Sequence, residues 1–309
     1  LIYALKKIFK IYIHIDNVII PKLINNMIKI INSKDFLKNP NKSINFYYQN
    51  GYLIIKKVFT KLDYKFLLDT IYYNANKFSK SKKNKISNDY NQTLSIINSE
   101  LTKLRKNDKS YFSKLYDSLQ HTAALYKLCS SSKVINIVEK LLNTDKEIIG
   151  ATAIQLRLDS PLDSRNKLNW HQDSAFFRQN NNGNNAMSTW IPLQKTSFDT
   201  GPLEFLEKSH KLGNLKFKHK NVEKYETVQK QVSDKIIKKF DLKQFELDIG
   251  DVIFLNFDTI HRSGLNKSNI FRMVAICRYH KMLLNDFNAG LNIFKYNKDY
   301  LNKLVKNGF

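Results

Sequence analysis

Apolar residues in the first half of the chain recur every three or four positions, which is the spacing of an amphipathic helix. This pattern predicts helices over residues 60–77, 111–128 and 133–143. Thr60 followed by Asp63 makes a capping-box-like start for the first helix, because the two side chains can satisfy free backbone N–H groups. The stretch 79–93 is rich in Lys, Asn and Ser and has no such period, so a surface loop is expected there.

From about residue 148 the pattern changes to short apolar or alternating runs, which are typical of strands. Strands are predicted over 151–158, 187–193, 203–206, 245–247, 252–256 and 272–280, and over 51–55 ahead of the helices. Helices followed by a set of short strands indicate an α+β protein, mainly β in its core, in which helices flank a sandwich or barrel. The lysine-rich polar insertion 210–244 is predicted to cover one end of that core as a lid.

Residues 1–45 are predicted to form a basic amphipathic extension ahead of a main domain over 46–309. The sequence Asn39-Pro40-Asn41 marks the break between them. The extension suits a helix packed on the main domain or on a partner subunit, or membrane-surface contact through residues 1–31. Its apolar residues are interrupted too often by charges for a membrane-spanning helix, and it lacks the cleavage site of a signal peptide.

The 309 residues carry a net charge of +24, from 51 Lys and Arg against 27 Asp and Glu. A basic surface of this kind can attract nucleic acid or anionic membrane. Here the excess is mostly lysine dispersed along the chain without a recognition motif, so nucleic-acid binding is not expected. The two cysteines, Cys129 and Cys277, argue against a disulfide scaffold and a cysteine-ligated metal, and they fit a cytoplasmic location.

The candidate chemistry begins at His171 and Asp173, two positions apart in the segment 170–174. On a strand, residues i and i+2 point to the same face, so both side chains can reach one metal ion. His261 follows the apolar segment 250–257, a predicted strand that can deliver a third ligand to the same point. Two histidines and one carboxylate form the facial triad of non-haem Fe(II) oxygenases, although zinc takes the same ligands.

Arg272 lies eleven residues after His261, inside the apolar predicted strand 272–280. A buried guanidinium is unfavourable unless it is paired, and its planar fork matches the geometry of a carboxylate. An arginine in this position therefore favours iron with a dicarboxylate co-substrate over zinc.

Several short segments in this chain follow one another in a specific order and spacing. They are Asn50-Gly51-Tyr52-Leu53-Ile54, Trp170-His171-Gln172-Asp173, Trp190-Ile191-Pro192-Leu193, Gly201-Pro202-Leu203 with Ser209-His210-Lys211, and Gly250-Asp251-Val252 through His261, Ser263, Asn266, Ser268 and Arg272. Over about residues 46–282 this arrangement resembles the phytanoyl-CoA dioxygenase family of Fe(II)- and 2-oxoglutarate-dependent oxygenases.

The resemblance implies a double-stranded β-helix, or jelly roll, with iron on the two histidines and the aspartate of the predicted triad. It further implies that 2-oxoglutarate chelates the iron, while its distal carboxylate pairs with Arg272 and is also held by Ser263. Trp190 and Gln155 match family positions that line the co-substrate pocket. The implied reaction uses O₂ and releases succinate and CO₂.

Clues to the substrate are fewer. Arg157 shares a strand face with Gln155, and Arg278 shares one with Arg272, so either arginine could hold an anionic group of a small-molecule substrate. A carboxylate at Asp173, where related halogenases have a small residue, favours hydroxylation over halogenation. The alternative reading is a non-catalytic jelly-roll module that binds a metal or ligand without turnover.

Overall fold

The structure, a computed structural model, describes residues 30–79, 89–163, 168–177, 179–215, 218–219 and 230–288. Its α-helices in these ranges are α1 (Ser33–Lys38), α2 (Asn41–Asn50), α3 (Lys61–Ser79), α4 (Tyr90–Asn107), α5 (Lys109–Leu119), α6 (Ala123–Cys129), α7 (Ser132–Leu142) and α8 (Asp234–Ile237). Its strands are β1 (Ile30–Asn32), β2 (Tyr52–Lys56), β3 (Ile149–Asp159), β4 (Ala186–Pro192), β5 (Leu203–Leu206), β6 (Lys218–His219), β7 (Lys230–Gln231), β8 (Leu242–Lys243), β9 (Val252–Asn256), β10 (His261–Ser263) and β11 (Arg272–Lys281).

Most strands belong to two sheets. A six-stranded sheet has the order β1-β2-β9-β4-β11-β3, and a three-stranded sheet has the order β10-β5-β8. Strand pairs in both sheets are antiparallel, except that β1 runs parallel to β2. Antiparallel neighbours that are distant in sequence are typical of jelly rolls. The prediction of a mainly β core with flanking helices is confirmed.

The two faces of β11 serve different purposes. Tyr279 points toward the helices, where its hydroxyl donates to the carbonyl oxygen of Cys129 in α6 at 2.6 Å. Ile276 and Arg278 have the other parity along the strand and line a pocket. Since helices cover one face and the pocket lies against the other, the strand is buried along nearly its whole length.

Helix α4 was missed by the sequence pattern, which predicted a loop over 79–93 and no helix immediately after it. The side chain of Asp89 caps the helix by accepting from the backbone N–H of Gln92 at 2.7 Å. Ile97, Leu101 and Leu104 form its buried stripe. The many polar residues between those positions concealed the helical period.

The predicted helix 111–128 is two helices, α5 and α6, with a break at Gln120. The Gln120 side chain donates to the carbonyl oxygen of Leu156 at 2.9 Å and accepts from the N–H of Leu156 at 2.7 Å. This pair of bonds fastens the break to β3, a tertiary contact that has no local sequence signal.

The predicted strand 245–247 is also wrong, because that segment makes only an isolated bridge between Thr196 and Leu247.

Residues ahead of the predicted domain boundary at 46 pack with the domain. Strand β1 pairs with β2, with Ile30 opposite Ile54, and the side chain of Phe36 is completely buried. Of the segment 1–31, predicted as a possible site of membrane-surface contact, residues 1–29 lie outside the described residues. The same holds for 216–217 and 220–229 of the predicted lid.

The helices that the structure describes include none with the length and hydropathy needed to cross a membrane.

Gly250 in the turn before β9 is expected to tolerate no side chain. Its φ is +96°, and a Cβ would lie 2.2 Å from the carbonyl oxygen of Phe59. We expect Gly250→Ala to lower the free energy of unfolding by more than the roughly 1–3 kcal/mol typical of a strained backbone alone, because the clash is with backbone. Urea unfolding of the variant measures this.

Gly213→Ala is the matched control for that experiment. Gly213 also has a positive φ, +64°, but a Cβ there meets nothing within 4 Å. Its substitution should therefore show the cost of backbone strain without a clash. Equal losses in the two variants would contradict a specific role for the contact with Phe59.

Candidate metal centre

Two histidines approach each other at the edge of the three-stranded sheet. His171 and His261 form an isolated antiparallel bridge with N–O distances of 3.0 and 2.9 Å, and their ring centroids are 4.3 Å apart. The local prediction for His171 was a strand that also carried Asp173. The structure has only this bridge, and a 3-10 turn over Asp173–Ala175 begins immediately afterwards. Gln172 between His171 and Asp173 is extended, with φ −112° and ψ 142°, so the i and i+2 relation of these two residues holds over this short segment before the turn begins.

Both imidazole rings are oriented by backbone carbonyls. Nδ1 of His171 lies 2.6 Å from the carbonyl oxygen of Asn169, and Nδ1 of His261 lies 2.9 Å from that of Thr259. A carbonyl oxygen only accepts, so each Nδ1 donates, and a neutral ring then presents the Nε2 lone pair. Burial, reinforced by the neighbouring His261, lowers the pKa of His171 to about 3, so that ring is neutral near pH 7.

Asp173 completes the group. One ligand atom from each of Asp173, His171 and His261 lies within 4.8 Å of the others, and all three residues are buried. Burial raises the pKa of the Asp173 carboxyl, but the Arg278 guanidinium and the two histidines outweigh it and hold that pKa well below its ordinary value. The carboxylate is therefore ionised. Two imidazole nitrogens and one carboxylate oxygen fit a divalent transition metal with open coordination positions.

Asp173 has two further partners among the described residues. The Ser188 hydroxyl donates to Oδ2. Arg278 approaches along both oxygens, with Nε 3.3 Å from Oδ2 and Nη2 3.2 Å from Oδ1. Its Nη1 donates to the side chain of Gln155 at 3.0 Å. Arg278 and Gln155, predicted to hold substrate and co-substrate, thus form a chain of contacts that ends on a proposed metal ligand.

A second charged cluster surrounds Arg272. Its Nε and Nη2 donate to Oδ2 of Asp159 at 3.1 and 2.7 Å, and Nη1 donates to the carbonyl oxygen of Gly264 at 3.0 Å. Asp159 also accepts from Arg157, at 3.1 and 2.8 Å. Burial alone would raise the pKa of Asp159, but the two arginines lower it below its ordinary value. Arg272 thus has the carboxylate partner that a buried guanidinium requires. That partner is Asp159 of the protein itself, and not only a carboxylate of a bound co-substrate.

One pocket joins the metal ligands to part of this cluster. Besides the triad, its lining includes Arg157, Trp190, Ser263 and Arg278, together with the apolar side chains of Leu168, Leu203, Leu255 and Ile276. Arg272 and Gln155 are not in that lining. Gln155 contacts Arg278, which is, whereas Arg272 shares the carboxylate of Asp159 with Arg157, which is. The predicted site residues are therefore assembled in one region, with Arg272 behind Arg157 and Asp159.

Asp159 and Ser188 were not predicted from the sequence. The alternation of side chains along a strand could have identified both residues. Asp159 lies two residues after Arg157 on β3, and Ser188 lies two residues before Trp190 on β4, so each shares a face with a predicted site residue. Arg262, which directly follows His261, donates to Glu204 at 2.6 Å and does not line the pocket.

Solved structures with a similar fold include non-haem, α-ketoglutarate-dependent enzymes. The epimerase SnoN from nogalamycin biosynthesis, in complex with Fe³⁺, α-ketoglutarate and nogalamycin RO, has a TM-score of 0.54 and 13% identity, covering 86% of this chain and 91% of its own. The carbocyclase SnoK from the same biosynthesis has a TM-score of 0.52 and 13% identity, covering 79% and 85%. EvdO2 from Micromonospora carbonacea var. aurantiaca, complexed with 2-oxoglutarate, has a TM-score of 0.50 and 14% identity, covering 81% and 94%. At these identities the likeness shows the fold alone.

Curated protein sequences gave no significant match. Residues 47–274, well over half of the chain, match the family described as Phytanoyl-CoA dioxygenase (PhyH). This range includes the three-stranded sheet, strands β2, β3, β4 and β9 of the six-stranded sheet, the three candidate ligands and Arg272. The chain therefore belongs to the phytanoyl-CoA dioxygenase (PhyH) family.

Proposed function

We propose that this protein is an Fe(II)- and 2-oxoglutarate-dependent oxygenase that hydroxylates an unactivated C–H bond of a small molecule. The observation that carries the proposal is the convergence of His171, Asp173 and His261 in a buried pocket, with the Nε2 atoms of both rings available. When bound, iron with 2-oxoglutarate and O₂ supplies the oxidation, and succinate and CO₂ are the co-products.

The chain's own residues hold the metal and exclude water. Each histidine ring is oriented through Nδ1 by a carbonyl two residues earlier, so little reorganisation accompanies metal binding. Leu168, Leu203 and Leu255 give the pocket apolar walls. Apolar walls limit the access of water to the reacting atoms and strengthen electrostatic contacts inside the pocket.

The proposed seat for the distal carboxylate of 2-oxoglutarate is the end of the pocket near Ser263 and Arg272. Two arginines share the carboxylate of Asp159, because it accepts hydrogen bonds from both Arg272 and Arg157. An incoming carboxylate can therefore join Arg272 beside Asp159, with the Ser263 hydroxyl as a further donor. Trp190 provides an aromatic wall to the same pocket.

Hydroxylation is proposed from the residues and not from the neighbours. SnoN is named an epimerase and SnoK a carbocyclase, so one fold hosts several outcomes of oxidation. Asp173 keeps a carboxylate at the third ligand position, which favours hydroxylation over halogenation. We propose no substrate-anion role for Arg278, because its Nε and Nη2 hold Asp173, a candidate metal ligand. Asp159, the partner of Arg272, is not a candidate ligand and also accepts from Arg157.

Anaerobic titration of the purified protein with Fe(II) and then 2-oxoglutarate tests the proposal directly. We expect a weak visible charge-transfer band that appears only when both are present. Admission of O₂ should bleach the band and release succinate, slowly in the absence of the true substrate. Zn(II) in place of Fe(II) should bind without giving either signal.

Two outcomes would overturn the proposal. Iron binding without a band on addition of 2-oxoglutarate would favour a zinc enzyme or a binding module. A band that persists unchanged in O₂, with no succinate across a panel of small molecules, would favour a binding module that keeps the ligands without turnover.

A further inference from the structure

The contact between Arg278 and Asp173 is a fork-to-carboxylate pairing in a dry site. Nε lies 3.3 Å from Oδ2 and Nη2 lies 3.2 Å from Oδ1, and the two side chains are 4% and 2% exposed. Paired donors of this kind fix the plane of the carboxylate as well as its position. Oδ2 also lies 4.0 Å from Nε2 of His261, so the plane fixed by Arg278 includes the oxygen nearest that histidine.

The edge of the guanidinium that faces away from Asp173 is hydrogen-bonded to strand β3. Nη1 donates to the carbonyl oxygen of Ala153 at 2.8 Å and to Oε1 of Gln155 at 3.0 Å. The Phe177 ring covers one face of the group, with its centroid 4.3 Å from Cζ. Arg278 is therefore constrained along both edges and one face, which leaves Asp173 as the group it orients.

The backbone of β3 departs from regular geometry at the point where it meets Arg278. The register between β3 and β11 shifts from Ile276 opposite Gln155 to Arg278 opposite Thr152. Ala153, inside this bulge, has a φ of +45°, which is rare for a residue with a side chain. Bulges and positive φ values of this kind are enriched next to active sites. The carbonyl that the bulge presents to Arg278 is that of Ala153 itself.

We propose that Arg278 is a positioning residue that fixes Asp173 as a metal ligand, and that the β3 bulge and Gln155 hold Arg278 for this purpose. The inference rests on the proposed function, since it concerns the same metal centre. Arg278 acts through Asp173 and does not touch the reacting atoms. The contrasting reading is a buried ion pair that stabilises the fold without affecting the metal.

Co(II) affinity distinguishes these readings, because Co(II) accepts the same ligands and its visible spectrum reports their geometry. We expect Arg278→Met to weaken Co(II) binding by roughly 10–100-fold, the usual effect of losing a group that orients a metal ligand. If charge alone mattered, removal of a cation would tighten metal binding instead. The thermal midpoint of the metal-free variant, measured in parallel, reports the structural contribution separately.

Arg262→Met is the matched control. Arg262 also pairs with a carboxylate, Glu204, at 2.6 Å, and its guanidinium lies 4.4 Å from the Trp170 ring centroid. Neither partner is a candidate metal ligand, although Arg262 directly follows His261. Its substitution should lower the thermal midpoint without changing Co(II) affinity or the Co(II) spectrum.

Gln155→Leu keeps the inference testable if Arg278→Met fails to fold. It removes one acceptor from Nη1 and leaves both contacts to Asp173, so a smaller loss of Co(II) affinity in the same direction is expected. Unchanged or tighter Co(II) binding in a folded Arg278→Met, or in Gln155→Leu when only that variant folds, would overturn the inference. Failure of the wild-type protein to bind Co(II) or Fe(II) would instead overturn the proposed function.

Discussion

His261→Ala is expected to abolish Fe(II) binding at micromolar protein and metal concentrations, and with it the charge-transfer band. The substitution removes one of three ligands, so the loss should exceed the roughly 10–100-fold that follows from removing a group that only orients a ligand. The fold should survive, because the bridge between His261 and His171 is made by backbone N–H and carbonyl groups that alanine retains. Equilibrium dialysis with Fe(II) measures the affinity.

His121→Ala serves as the control for this variant, since His121 is an exposed residue in the turn after α5 and is not among the candidate ligands. It should bind Fe(II) as the wild-type protein does. Retention of wild-type affinity by a folded His261→Ala would mean that the metal, if any, is held elsewhere. A shared loss in both variants would point to damage unrelated to the site.

Arg272→Lys is expected to raise the dissociation constant for 2-oxoglutarate by tenfold or more while leaving Fe(II) affinity within about threefold of wild type; tenfold corresponds to about 1.4 kcal/mol. Lysine keeps the positive charge beside Asp159 but loses the planar fork that a carboxylate matches. Titration of 2-oxoglutarate into the Fe(II)-loaded protein without oxygen measures both quantities through the charge-transfer band.

Arg272→Met should go further and remove detectable 2-oxoglutarate binding. It also removes one partner of a buried ion pair, a change that usually costs about 3–5 kcal/mol of stability. Arg157 remains beside Asp159, so we expect the lower end of that range. Wild-type 2-oxoglutarate affinity in Arg272→Lys would show that the distal carboxylate is bound elsewhere. Arg157 would then be the first residue to test, because it lines the pocket.

Asp159 illustrates how a site residue escapes prediction. The sequence shows that Asp159 follows Arg157 by two residues near the predicted end of strand β3. Its role as an ion-pair partner, however, depends on Arg272 in β11. The register of these two strands sets Asp159 directly opposite Arg272. Residues more than a hundred positions apart meet only through that register, and periodicity within one segment contains no information about it.

The sequence by itself determined the family, the mainly β core with flanking helices, and the identity of the three candidate ligands. It could do so because strand periodicity, the apolar runs before His261 and the order of the short segments are local properties that survive without coordinates. The same is true of the need for a partner at Arg272, which follows from the cost of burying a charge.

Only the tertiary structure decided which groups satisfy those needs. The backbone bridge between His171 and His261 places the two histidine rings side by side, and a bulge in β3 directs the carbonyl of Ala153 at Arg278. Arg278 was predicted to face a substrate and contacts Asp173 instead. In a close-packed interior the nearest opposite charge is set by sheet register and backbone irregularity, which emerge from contacts between distant parts of the chain.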